Sequence, residues 1–125
     1  MQNTPVAKLS AALFELHGLL ITEATNAYKA EHGPIAGPGH LLQLLTEDPA
    51  FSWLRPLSSH MAELDHADSK GDVELLGKEL RAIEELFAEG SDFGQRYFAT
   101  FQHNPDIVMA HAATMTALRG TRVVN

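Results

Sequence analysis

Three observations predict an all-α, single-domain helical bundle spanning residues 1–125. Apolar residues recur at spacings of three and four in four separate long stretches. Thr4-Pro5, Asp48-Pro49 and Asn104-Pro105 each pair a capping side chain with a proline suited to the first helical position. No stretch alternates apolar and polar residues with the period of a strand.

The first helix is predicted from Pro5 to Glu31, about 40 Å long at roughly 1.5 Å per residue. Val6, Leu9, Leu13, Leu16, Leu20, Ala24 and Ala27 form its centre line. Phe14, Ile21 and Tyr28 lie on one flank, Ala12 and Leu19 on the other. An apolar arc this wide needs cover on at least two sides. It predicts a central bundle helix or one shared with a second subunit, and hence a homodimer.

The breaker-rich run from His32 to Gly39 is a loop, and the lack of a Gly-Lys-Ser/Thr ending argues against a phosphate cradle. A short helix follows from about Pro38 to Thr46. The next pattern, Pro49 to about Asp68, carries Phe51, Leu54, Leu57, Met61 and Leu64 as one buried stripe, with Trp53 beside it. Pro56 falls inside it, where a proline costs on the order of 3 kcal/mol in a plain helix. Either the helix kinks near Arg55 or two shorter helices meet there. Trp53 and Arg55 then serve as a core anchor and an ion-pair partner, or frame a binding site at the freed backbone.

Gly71 stops this helix and Asp72 caps the next, which is predicted through Glu89 with Leu76, Leu80, Ile83 and Phe87 on one face. Gly90-Ser91 separates it from Phe93, Tyr97 and Phe101, at four-residue spacing with Phe98 alongside. The last helix starts at Asn104-Pro105 and runs through Ile107, Val108, His111, Ala112, Met115 and Leu118. Residues 119–125 are expected to fray. The count is four main helices plus short connecting ones.

Composition narrows the function classes. There is no Cys, which removes disulfides, thiolate metal sites and Cys nucleophiles and fits a reducing compartment. A net charge of −7 argues against sequence-independent nucleic-acid binding and against anionic membranes. Glu47 to Asp92 holds 12 acids and 4 bases, net −8, leaving the remainder at +1. Nothing resembles a signal peptide and no apolar run nears the roughly 20 residues of a membrane span. A soluble cytoplasmic protein is expected.

The run Asp48-Pro49-Ala50-Phe51-Ser52-Trp53-Leu54-Arg55-Pro56-Leu57-Ser58 resembles a segment of a family of small, uncharacterised bacterial helical proteins. Leu16-His17 in the first helix and Pro105-Asp106-Ile107-Val108 in the last are similar to that family's outline. The resemblance implies a bacterial helical bundle and no particular chemistry.

The seven His residues are the natural place to seek acid–base or metal chemistry. Glu63-Leu64-Asp65-His66 matches a bundle metal motif once, but Glu63 and His66 point away from the stripe of Leu57, Met61 and Leu64. No metal or cofactor is predicted. Ser58-Ser59-His60 is contiguous, and neighbours on a helix do not face each other. His17 and His111 fall within apolar arcs, so each needs a partner for its ring nitrogens. They are either two unrelated core residues or the polar centre of a pocket. The expected function is a non-catalytic binding or regulatory module acting as a homodimer, with an unidentified protein partner. The alternative is a bundle with a central pocket for a small molecule, cofactor or metal, built from His17, Tyr28, Trp53, Arg55 and His111.

Overall fold

The computed structural model describes residues 4–88 and 90–124, with side chains described through Thr121. Its elements are α1 (Pro5–His32), α2 (Pro38–Glu47), α3 (Pro49–Ser52), α4 (Arg55–Lys70), α5 (Val73–Leu86), α6 (Asp92–Ala99), a 3-10 turn (Thr100–Gln102) and α7 (Pro105–Val124). The fold is all-α, with no strand among the described residues.

Local chemistry explains most boundaries. The Thr4 hydroxyl accepts from the Ala7 amide at 3.1 Å, Asp48 from Ala50 at 2.9 Å, and Asp72 from Leu75 at 3.0 Å. Each satisfies one of the amides that a helix start leaves unpaired. Gly71 ends α4 in the left-handed region at φ 67°, where a residue with a Cβ is strained.

Pro56 resolves the choice between a kink and a break. The chain turns at Trp53 and Leu54, and α4 restarts at Arg55. Pro56 therefore occupies the first turn of a new helix, where its missing N–H costs nothing. At the other end of the chain α7 extends to Val124, and Thr121 is buried, its hydroxyl donating to the Leu118 carbonyl at 2.6 Å.

α1 is the axis of the bundle. Leu9, Leu13, Leu16 and Leu20 are fully buried on its inner face, each contributing about 1.5–3 kcal/mol by burial. α7 lies antiparallel along one side, bringing Pro5 to the level of Gly120 and Glu15 to that of Asp106. α4 runs antiparallel along another side, where the Ser10 hydroxyl donates to Asp65 at 2.7 Å. α5 packs on α4, and His60 Nδ1 meets the buried Glu79 Oε1 at 2.9 Å. The breadth of α1's apolar arc is thus largely used within one chain, though Phe14 stays 75% exposed. Among the described helices α1 is also long and apolar enough, by length and composition, to cross a membrane. Here its leucine face is the core of the bundle.

Candidate functional site

Two of the five predicted site residues, Tyr28 and Trp53, line one open groove of about 350 Å³. α1 contributes Glu23, Ala27, Tyr28 and Glu31 at four-residue and three-residue steps along a single face. α3 adds Ala50 and Trp53, and the segment from α6 through the 3-10 turn adds Arg96, Thr100 and His103. The short α3 exists because of the break before Arg55, so that break is what sets Trp53 at the rim.

Both aromatic rings are held from behind. Trp53 Nε1 donates to the Ala50 carbonyl at 3.0 Å, and its ring centroid lies 5.4 Å from that of Phe93. Tyr28 sits 5.8 Å from the buried Phe51 and 4.6 Å from His32. Neither side chain is fully buried, so each presents an edge to the groove. The Arg96 guanidinium carbon stands 5.1 Å from the Trp53 ring centroid, a cation–π contact worth about 0.5–1 kcal/mol when exposed.

The groove is electrostatically divided. Glu23 and Glu31 come from α1, whereas Arg96 and His103 come from the α6 side. Among the described residues none of the four makes an ion pair; the pair that does form there is His60 with Glu79. Besides its contact with the Trp53 ring, Arg96 donates among the described residues only to the Pro49 carbonyl, at a long 3.4 Å. Two opposite charges therefore face an apolar floor without neutralising each other.

The remaining three predicted residues lie elsewhere. Arg55 is exposed and donates to the Thr46 carbonyl in the last turn of α2, where a cation satisfies a helix C-terminus. Among the described residues it pairs with no acid, and it does not line the groove. His111 is enclosed by the rings of Phe87, Tyr97, Phe98 and Phe101, and the Tyr97 hydroxyl lies 2.7 Å from its Nδ1. His17 is half-buried on α1, and no hydrogen bond or ring contact joins it to His111 among the described residues. Of the five, the groove brings together Tyr28 and Trp53 and is not lined by His17, Arg55 or His111.

Burial lowers the proton affinity of both His17 and His111 below the usual histidine value, and pushes the Tyr97 phenol up. Tyr97 thus stays protonated and shares a hydrogen bond with Nδ1 of His111, whose neutral form burial favours. None of these three groups lines the groove. Of the groove's two hydroxyls, those of Tyr28 and Thr100, the Thr100 hydroxyl is engaged with the Tyr97 carbonyl at 2.6 Å. Among the described residues no group of three His, Asp or Glu side chains is arranged to hold a metal ion.

Sequence reasoning missed Glu23, Arg96 and His103 as site residues. A signal was present: Arg96, Thr100 and His103 follow one another at four and three residues, as Glu23, Ala27 and Glu31 do at four. No protein-family model matches the chain, and neither a curated protein nor a solved structure is similar enough to match it.

Proposed function

We propose that this protein is a non-catalytic binding module, a bacterial cytoplasmic homodimer whose ligand occupies the groove between α1, α3 and α6. The observation that carries the reading is the pairing of an aromatic floor with unneutralised charges of opposite sign. Tyr28 and Trp53 offer flat apolar surface, Glu23 and Glu31 offer acceptors for a cation, and Arg96 offers a fork for a carboxylate. A small zwitterion with an apolar body, such as an amino acid or dipeptide, satisfies all three. A groove of this size is within the range that holds small molecules.

Binding without catalysis is supported by the chemistry of the lining. The groove's one aliphatic hydroxyl, that of Thr100, is tied to the Tyr97 carbonyl, and the groups whose proton affinities burial shifts lie away from the groove. The homodimer is supported by the exposure of a large apolar side chain, Met109 at 72%, beside the α1–α7 seam. The absence of cysteine and the resemblance of the Asp48–Ser58 run to small bacterial helical proteins support the origin and compartment.

Trp53 is the chain's single tryptophan, so its emission reports on this groove alone. The test is titration with phenylalanyl-phenylalanine beside its N-acetylated, C-amidated form. The expected result is a saturable emission change with the free dipeptide, weakened at least about tenfold by blocking both termini or by Arg96→Ala. Equal responses to both forms would remove the zwitterion assignment. No saturable response to either would remove the ligand site.

A further inference from the structure

The seam between α1 and α7 carries a charge pattern that is complementary to itself. A trough of about 610 Å³ runs past Lys8, Ala12, Ala113 and Thr116, and continues through Ala113 into a second of about 360 Å³ flanked by Glu15, Asp106 and Met109. The two helices are antiparallel here, so the seam has a basic end and an acidic end. Lys8 marks the first, with Arg119 one turn beyond Thr116 on the same helix; Glu15 and Asp106 mark the second.

Lys8 and Glu15 are seven residues apart, which returns them to the same face of α1. Their midpoint falls between Ala11 and Ala12, at the level of Ala113, where the seam is lined by small side chains. All four charged residues are exposed, and none makes an ion pair in its own chain among the described residues. Met109 is 72% exposed at the edge of the same trough. The charges thus stand at equal distances either side of a centre where two backbones can approach closely.

We infer that a second copy of this chain docks on the α1–α7 seam, about a two-fold axis crossing the helices at the level of Ala12 and Ala113. That axis sets α1 antiparallel on α1 of the partner, so Lys8 faces Glu15 of the partner subunit twice over. It likewise brings Asp106 towards the basic end of the other copy. The alternative two-fold, running along the helices, places like-charged ends together and is disfavoured. The small residues at the centre and Met109 supply the apolar contact, and the charges select the arrangement. This inference rests on the homodimer reading and assigns its surface.

Sedimentation velocity over a concentration series tests it, with circular dichroism confirming that each variant is folded. Lys8→Glu alone and Glu15→Lys alone are each expected to raise the dimer dissociation constant at least about tenfold, because each places like charges together twice. The double variant Lys8→Glu/Glu15→Lys restores the complementarity and returns the dimer. Phe14→Ser, on another side of α1, leaves the dimer intact. A wild-type dimer that ignores both charge changes, or dissociates with Phe14→Ser, overturns the seam while keeping the homodimer. A wild-type protein that sediments as a monomer at every concentration removes the homodimer itself.

Discussion

The Tyr97 hydroxyl stands 2.7 Å from Nδ1 of His111, joining α6 to α7 inside a cluster of four aromatic rings. Tyr97 is fully buried, so its hydroxyl has no water to fall back on. This bond gives the last helix its registration against the aromatic hairpin formed by Phe87, Phe93 and Tyr97.

Removing one partner leaves the other wanting. Tyr97→Phe is expected to cost about 1–3 kcal/mol of unfolding free energy, since a half-buried imidazole loses its hydrogen-bond partner. His111→Phe in the same background is expected to recover part of that loss, because the unpaired polar atom is gone. Urea unfolding of the two single variants and the double variant measures the coupling. Strict additivity would contradict the bond as described.

The histidines make stability depend on pH with a definite sign. Burial lowers the proton affinities of His17 and His111 in the folded state below the ordinary 6.5. The unfolded chain then binds protons more readily than the folded one. Stability from the neutral rings is complete above pH 6.5 and is lost as pH falls from there through the lower folded values. Urea midpoints at pH 7.5 and 5.5 are therefore expected to drop for wild type. The drop shrinks in His17→Gln/His111→Gln; an unchanged drop would place its cause elsewhere.

Gly94 is fixed by contact rather than by conformation. It is buried, its amide donates to Ser91 at 2.8 Å, and a Cβ at this position would stand 2.1 Å from the Ala88 carbonyl oxygen. Backbone must move to admit one methyl group. Gly94→Ala is expected to cost about 3 kcal/mol, read as a lowered thermal midpoint. Gly18→Ala, where nothing lies within 4 Å of the added atom, is expected to stabilise α1 by about 1 kcal/mol. Equal effects at the two glycines would contradict the packing of α6.

The fold was legible because each helix announces its own ends and its buried face locally. Thr4, Asp48 and Asp72 cap where their side chains predict, and Leu9, Leu13, Leu16 and Leu20 are buried as their spacing requires. Pro56 was ambiguous because a proline reads alike inside a kinked helix and in the first turn of a new one. The tertiary link between Glu79 and His60 was invisible, since no local rule brings residues nineteen apart on different helices together.

The candidate site was half legible for the same reason. Tyr28 and Trp53 advertise themselves by residue type, and their own helices place them at an edge. Arg96 and His103 arrive only through the packing of α6 against α3 and α1. His17 and His111 each lie on an apolar arc, but a helical wheel gives an angle and not the identity of the neighbour. His111 turned to Tyr97 and its aromatic cluster, and His17 did not follow.

The indole N–H signal of Trp53 in a proton–nitrogen NMR spectrum tests the groove most directly, because the chain contains a single tryptophan. Adding phenylalanyl-phenylalanine is expected to shift that signal to a saturating limit in wild type, and at least about tenfold less tightly in Arg96→Ala. An indole signal that stays fixed while signals from other parts of the chain move would place binding elsewhere and contradict the account.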